Sequence, residues 1–296
     1  MIIKKKAKSV TISSNNAGQR LDNFLLSHLK NVPKKHIYKL IRTGQVRINS
    51  SRSKPSSKLN NNDKVRIPPI SLSESLKPII NKNQIKLMRE KIIYEDKNII
   101  IFNKPSAFAV HSGTNIGYGL IDVIREFRKG FERLDLLHRL DKETSGCVII
   151  TKSYESLKIF QKKIKNKEIN KKYLCLVKGR WNPKIKKSTY KLTRKNKIAE
   201  AETHFKAIKY YKKSTLLEVD LITGRYHQIR KHCEMLDHPI IGDKKYGNKE
   251  LNKLYEKKGL SRIFLHACSI EFYFNKEIIV KCPLPPELES FLKSHE

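Results

Sequence analysis

The chain has 296 residues, of which 63 are lysine or arginine and 28 are aspartate or glutamate, so its formal net charge at pH 7 is +35. The length allows one large or two ordinary domains, and the charge predicts a polyanionic partner, either nucleic acid or acidic lipid. We expect neither a membrane span nor a signal peptide, because no apolar run is long enough and none follows the basic start. The five cysteines are widely spaced without a CxxC pair, which argues against a zinc site or disulfide framework and favours a reducing, cytoplasmic compartment.

Local patterns in the first 70 residues predict a small helical unit with a short β element. Apolar residues recur at helical spacing in two segments, and the second segment is bounded by Pro33 near its start and Gly44 just past its end. Alternating apolar residues predict two short strands with a polar loop between them. The expected elements are a basic arm up to about residue 14, helices over 17–29 and 33–44, and strands over 46–49 and 65–67.

This unit resembles the S4 RNA-binding module. The matching residues are Arg20-Leu21-Asp22, Lys34-Lys35, Ile41-x-x-Gly44-x-Val46 and Asn49, and the lysine pair stands where serine followed by arginine is more usual. The resemblance implies that four basic side chains contact RNA, namely Arg20, Lys34, Lys35 and Arg42. The alternative is a helical hairpin whose basic face is only solvated. We expect the module to occupy residues 15–70, with a linker over 71–88 and a second domain over 89–296.

Sequence patterns in the second domain predict a series of strands with a few helices between them. Two apolar strands flank the polar turn at residues 95–98, which indicates a β-hairpin. The basic segment over 180–198 has no predicted role. The expected strands cover 92–94, 99–102, 107–111, 147–150, 171–177, 201–211 and 215–222, and the expected helices cover 154–169 and 287–293.

The densest polar cluster of the chain lies in LLHRLDKETSGCVIITK, residues 136–152. Gly146 separates the cluster from a run of four apolar residues, which predicts a buried strand with a polar loop at its mouth. Asp141 has Arg139 and Lys142 beside it, and we expect these cations to lower the pKa of its carboxyl group. An ionised carboxylate suits a nucleophile better than a general acid. The alternative is a solvated charged turn.

A second cluster, TGRYHQIR, covers residues 223–230 and opens a helix. Apolar residues continue along one helical face, and Arg230 lies at the edge of that face, so its side chain can point into the protein. A partly buried guanidinium needs a carboxylate partner, for which Asp141 is the candidate. His227 and His232 do not have the spacing of a metal-binding pair, and we predict no metal site.

The motif HRLDKETSG resembles the catalytic motif of the RluA family of pseudouridine synthases, and the resemblance extends over nearly the whole chain. IIYEDKNIIIFNKPSAFAVH, TGRYHQIR and HPIIGDKKYG match further family segments, with Tyr226 where a small hydroxyl residue is more usual and Asp237 where glycine is. The implied fold is α+β: an S4 module followed by a catalytic domain built on a mixed, mainly antiparallel sheet with flanking helices.

The resemblance also implies roles for individual residues. Asp141 is the nucleophile, Arg230 pairs with it, and Tyr173, in its KxYxxxV context, lies in the active site, where its ring could stack on the target base. His138 and Arg139 are the candidates for filling the space that a flipped base vacates. The reaction needs no redox step or group donor, so no cofactor is implied. The segment VHSGTNIGYGLIDVIR is most similar to the branch that modifies 23S rRNA, and we expect a monomer.

Three other functions remain open from the residues alone. The first is a non-catalytic RNA-binding or ribosome-assembly protein, which would not depend on Asp141. The second is a nucleic-acid N-glycosylase, which would release free uracil. The third is an acid–base glycosidase, which needs two carboxyl groups and would have to use Glu143 as the second.

Overall fold

The structure is a computed structural model that describes residues 2–5, 7–29, 32–73, 80–112, 117–131, 133–194 and 197–294. The chain divides into two compact units, residues 1–79 and residues 80–296. No helix in these described ranges is long and apolar enough to cross a lipid bilayer.

The N-terminal unit combines two helices with short antiparallel strands. Its elements are β1 (Ile2–Lys5), β2 (Lys8–Thr11), α1 (Leu21–His28), α2 (Lys34–Arg42), β3 (Arg47–Ile48), β4 (Ser51–Arg52), β5 (Lys64–Ile67) and β6 (Ile70–Ser73). Strands β2, β5, β3 and β4 form one sheet in that order, and β1 pairs with β6 in a second.

Helix α2 shows how the sequence builds this unit. Ile37, Leu40 and Ile41 recur at helical spacing and are buried, while the lysines of the helix face solvent. Gly44 follows the helix with a φ of +71°, a backbone conformation that favours glycine. Both predicted helices are present. The predicted basic arm differs from the structure, because β2 pairs with β5 and Ile12 is buried in the core.

The C-terminal unit contains a large sheet with helices packed around it. Its elements are α3 (Lys82–Arg89), β7 (Ile92–Glu95), β8 (Ile99–Lys104), α4 (Leu120–Phe127), β9 (Asp135–Leu136), β10 (Ser145–Thr151), α5 (Tyr154–Lys165), β11 (Ile169–Lys178), β12 (Lys187–Arg194), β13 (Lys197–Tyr210), β14 (Ser214–Leu221), α6 (Gln228–Met235), α7 (Lys249–Lys257), β15 (Leu265–Phe274), β16 (Lys276–Lys281) and α8 (Pro286–Ser294).

Within the described residues, the main sheet has ten strands. Eight of them follow the order β12-β13-β14-β11-β15-β10-β8-β7, while β16 pairs with β15 and β9 with β10. The pairing of β10 with β15 is parallel, and the other pairings described for this sheet are antiparallel. The mixed, mainly antiparallel sheet that we predicted is therefore confirmed.

Strand β10 is the centre of the core. Each of its residues is buried, and α5 packs against it. Gly146 has a φ of +113°, and a Cβ atom there would lie 2.2 Å from the carbonyl oxygen of Ala267 in β15. This close approach fixes the start of β10, and with it the loop that precedes the strand.

Two predicted segments have a different structure. Residues 71–88, for which we predicted a linker, include most of α3, because Ile85 and Met88 lie on one face of that helix and pack into the core. Residues 107–111, for which we predicted an extended run, form no strand. The segment over 180–198, to which we gave no role, carries β12 and the buried Trp181.

Candidate active site

Asp141 lies in the loop between β9 and β10, and its side chain is 26% exposed. The loop sits at the mouth of a buried strand, as the sequence indicated. Because the strand is fixed by its neighbours on both sides, the loop has a rigid support.

Three side chains hold the backbone of this loop in place. The fully buried Lys104 donates hydrogen bonds from its Nζ to the carbonyls of Lys142 (3.1 Å), Pro105 (2.9 Å) and Phe108 (2.8 Å). The hydroxyl of Ser106 and the Nη2 of Arg262 donate to the carbonyl of Glu143, at 2.7 Å and 3.2 Å. Burial lowers the pKa of Lys104 to about 7.

Arg230 lies between two carboxylates. Its Nε and Nη2 form a bidentate pair with Asp243, at 2.7 Å and 2.8 Å, and its Nη1 is 3.5 Å from Oδ2 of Asp141. Asp243 is 1% exposed and also accepts from the backbone N–H groups of Lys245 and Tyr246. A fixed guanidinium therefore points its third nitrogen at Asp141.

The pKa values of the two carboxyl groups shift in opposite directions. Burial raises the pKa of Asp141 above its usual range, and the nearby charge of Arg230 only partly opposes the shift. Burial would also raise the pKa of Asp243, but the hydrogen bonds from Arg230 and from the backbone hold it below its usual range. Our prediction of a lowered pKa for Asp141 is therefore wrong, because it counted the neighbouring cations and not the burial.

His227 contacts the same group of charges. Its backbone has a φ of +54° at the start of α6, and its Nε2 is 3.6 Å from Oδ1 of Asp141 and 3.3 Å from Nη1 of Arg230. Because a guanidinium can only donate, Nε2 is the acceptor, and Nδ1 carries the proton that it donates to the hydroxyl of Tyr246 at 3.1 Å. Burial, together with Arg230 and Lys245, lowers the pKa of His227 to about 4, so its ring is neutral at pH 7.

A cavity opens above these residues. It is lined by Asp141, Arg230, His227, Tyr173 and the exposed side chain of Arg139. Tyr173 is 5% exposed and lies at a β-bulge of β11. Burial and the charge of Asp141 raise the pKa of its phenol, which therefore stays protonated at neutral pH.

His138, the neighbour of Arg139, lies differently. Its Nε2 accepts a hydrogen bond from the backbone N–H of Ile149 in β10 at 3.2 Å, and burial lowers its pKa to about 3. Its ring is neutral and bound to the strand, and it is not among the described side chains that line the cavity. Of the two predicted base-flipping residues, the structure brings Arg139 to the cavity.

The predicted RNA-binding residues of the N-terminal unit lie on its surface. Lys34, Lys35 and Arg42 are exposed. Arg20 forms a bidentate pair with the buried Asp22, at 3.1 Å and 2.7 Å, although the Arg20 side chain remains 49% exposed.

Several functional residues were missed from the sequence. Asp243, His227 and Lys104 stood in segments that we matched to the family, but nothing in their local spacing showed that they meet Asp141 or its loop. Gln228, which is 3% exposed, ties the start of α6 to β13 by donating to the carbonyl of Glu202 at 2.9 Å. One signal in the sequence could have indicated Asp243. A buried arginine such as Arg230 needs a carboxylate that is itself held in place, and Asp141, in a loop, is a weak partner by itself. His232 is fully buried, and the described residues include no cluster of metal-ligating side chains.

Comparisons with known proteins identify the family of this chain. A family model described as RNA pseudouridylate synthase matches residues 98–235, and an S4 domain model matches residues 19–65. The matched ranges include the loop of Asp141 and the start of α6 with Arg230. The chain belongs to the RNA pseudouridylate synthase family, whose reaction is the isomerisation of uridine in RNA, and it carries an S4 domain.

Curated relatives are similar along almost the full chain. The ribosomal large subunit pseudouridine synthase C of Haemophilus influenzae is 40% identical over 286 residues, which cover 92% of this chain and 88% of that protein. The protein of the same name from Pasteurella multocida is 38% identical over 308 residues, covering 98% and 94% of the two chains.

A solved structure shows the same fold. The human RNA pseudouridylate synthase domain containing 4 superimposes with a TM-score of 0.58 at 24% sequence identity, covering 71% of this chain and 94% of that one. Together with the two family models, this similarity confirms the fold class that we predicted.

Proposed function

We propose that this chain converts specific uridines of 23S rRNA to pseudouridine, with Asp141 as the nucleophile. The observation that carries the proposal is the chain of contacts from Asp243 through Arg230 to Asp141 at the wall of one cavity. A passive RNA-binding surface has no need of a buried arginine that points at a half-buried carboxylate. The names of the relatives support large-subunit rRNA as the substrate.

Each residue of the cavity has a role in this proposal. The target uridine leaves its stack, and Arg139 occupies part of the vacated space and holds a phosphate. Asp141 attacks C1′ or C6, or removes a proton from C2′, and the N1–C1′ bond breaks. Arg230 favours the ionised form of Asp141 and orients it. Tyr173 stacks on the released uracil while the base rotates. C5 then bonds to C1′, any bond to Asp141 breaks, the proton on C5 leaves and N1 takes up a proton.

The N-terminal unit supplies affinity in this proposal. Arg20, Lys34, Lys35 and Arg42 contact the phosphate backbone, and the net charge of +35 attracts RNA over longer distances. We propose that the protein works as a monomer in the cytoplasm, on 23S rRNA or its precursor. In this proposal the S4 module includes the predicted residues 15–70, and the catalytic domain includes the predicted residues 89–296 together with the rest of α3, which packs into the same core.

The first experiment maps pseudouridine in 23S rRNA from cells with and without the gene, by carbodiimide treatment and reverse transcription. We expect one or a few stops to disappear in the deletion strain and to return with a plasmid copy. Identical maps in the two strains would contradict the proposal and favour the non-catalytic alternative.

The second experiment compares Asp141→Asn with Glu143→Gln, the exposed carboxylate two residues away. We expect the Asn variant to lose at least about 10³-fold in kcat while still binding RNA, because an amide is not a nucleophile, and the Gln variant to stay near the wild type. The reaction solution is assayed for free uracil, and the product RNA is digested to nucleosides for liquid chromatography with mass spectrometry, which separates pseudouridine from uridine of the same mass. Free uracil in place of pseudouridine would identify an N-glycosylase, and turnover by the Asn variant would refute the role of Asp141.

A further inference from the structure

An aromatic side chain stands beside the cavity without a role so far. Tyr226 lies between Arg225 and His227, both of which line the cavity, and 39% of its surface is exposed. Its ring stacks on the ring of His227, with centroids 3.7 Å apart and an angle of 21° between the planes. Because Nε2 of His227 is 3.6 Å from Asp141, the stacked pair reaches from the catalytic carboxylate to the surface.

The ammonium groups of two lysines lie over this aromatic ring. The Nζ atoms of Lys231 and Lys245 lie 6.0 Å and 5.7 Å from the ring centroid of Tyr226. Lys231 belongs to α6 and Lys245 to the segment after Asp243, so the two ammonium groups come from different parts of the chain. Because lysine side chains are flexible, the two ammonium groups can turn from the ring to a phosphate and leave the ring to a base. An exposed aromatic ring with cations close to it is the combination that binds single-stranded nucleic acid.

We propose that Tyr226 is a stacking platform for the unpaired nucleobase next to the target uridine, with Lys231 and Lys245 at the phosphates of that nucleotide. The inference rests on the proposed function, because it takes the uridine in the cavity as given. When a base leaves a stack, its neighbour loses a stacking partner, and an aromatic side chain at the mouth of the cavity replaces that partner. The platform thus favours RNA sites at which the neighbouring base is free to turn outward.

A structural role is the competing explanation for Tyr226. The same ring could act only by holding His227 in its left-handed backbone conformation and against Arg230. The two explanations differ in their dependence on the RNA. If Tyr226 is a platform, its substitution has no effect on kcat/KM when the neighbouring base is absent. If Tyr226 only supports His227, its substitution has the same effect on every substrate.

The test uses RNA oligonucleotides centred on a uridine mapped as above, either intact or with an abasic residue on the 5′ or the 3′ side of the target. We compare kcat/KM for the full-length wild type, Tyr226→Ser, Tyr226→Phe and the control Tyr273→Ser, whose tyrosine is 66% exposed on β15. On intact RNA, we expect Tyr226→Ser to lose roughly 5- to 100-fold, Tyr226→Phe to recover most of that loss, and Tyr273→Ser to match the wild type.

The abasic substrates decide between the two explanations. On one abasic RNA, we expect kcat/KM of the wild type to fall to the value that Tyr226→Ser has on intact RNA. We expect kcat/KM of Tyr226→Ser to be nearly the same on that abasic RNA as on intact RNA. The platform would be overturned if kcat/KM of Tyr226→Ser, relative to the wild type on the same RNA, fell equally on intact and abasic RNA, or did not fall on any substrate. If Tyr226→Ser does not fold, the wild type alone still tests the proposal, because a platform requires its kcat/KM to fall on one abasic RNA, and equal values on intact and abasic RNA would overturn it. A wild type that produces no pseudouridine in any of these RNAs would instead contradict the proposed function itself.

Discussion

Arg230 is the residue on which the geometry of the cavity depends. Its bidentate pair with Asp243 fixes the plane of the guanidinium, and the remaining Nη1 then points at Asp141. Lysine has one flexible ammonium group, which cannot pair with Asp243 in two places and reach Asp141 as well. The arrangement therefore needs arginine rather than only a positive charge.

We predict that Arg230→Lys lowers kcat/KM by at least about 100-fold and moves the acid limb of the pH profile to higher pH. Burial already raises the pKa of Asp141, and Arg230 opposes that shift, so a weaker cation leaves the carboxyl group protonated at a higher pH. The measurement is kcat/KM between pH 4.5 and pH 8. The control is Arg128→Lys, which changes a distant pair with Glu95. An unchanged acid limb would contradict the role of Arg230 in the charge of Asp141.

Part of this residue-level picture was predictable from the sequence. A partly buried arginine after a Thr-Gly turn requires a carboxylate, and this reasoning predicted the contact of Arg230 with Asp141. It missed Asp243 because a contact between a helix and a turn 13 residues later leaves no periodic trace in the sequence. The direction of the pKa shift of Asp141 was also missed, since burial is a property of the folded chain.

At the scale of elements, the contact of β10 with β15 positions the loop of Asp141. The two strands are parallel at Ser145 with His266 and at Gly146 with Ala267, where the backbones come very close. Lys104, Ser106 and Arg262 then hold the loop itself by its carbonyl groups.

We predict that Gly146→Ala destabilises the catalytic domain by at least about 2 kcal/mol, because its φ of +113° strains any other residue and its Cβ would overlap the carbonyl of Ala267. The control is Gly130→Ala, since a Cβ at Gly130 has no atom within 4 Å. Urea unfolding gives both free energies. Equal stability of the two variants would show that β15 does not approach β10 as described.

Elements with strong local patterns were predictable from the sequence, whereas their partners were not. The hairpin of β7 and β8, helix α5 and the buried strand β10 have apolar patterns and clear turns, and the structure contains them. The place of β15 between β11 and β10 depends on a pairing across more than 100 residues. No local signal encodes such a contact.

For the whole molecule, a net charge of +35 makes RNA binding strongly dependent on salt. Only part of that charge makes specific contacts with RNA phosphates in the proposed complex. The exposed lysines of α2 belong to this part, whereas many others contribute only to the general field.

We predict that the double variant Lys34→Ala, Lys35→Ala weakens binding to 23S rRNA and makes the slope of log K against log salt shallower by about 1.5, as expected for two lost phosphate contacts. Filter binding between 50 and 300 mM KCl measures the slope. The matched control is Lys276→Ala, Lys281→Ala, which removes two exposed lysines from β16. The same change of slope in both variants would mean that only the overall charge matters.

The middle position of β15 has a consequence for biosynthesis. Residues 265–274 separate β11 from β10 in the finished sheet, so during translation β10, which follows the Asp141 loop, lacks one of its partner strands until more than 100 further residues are made. A nascent polypeptide that ends before residue 265 lacks the central strand of its own sheet. The sheet that supports the Asp141 loop is therefore complete only after residue 274 has left the ribosome.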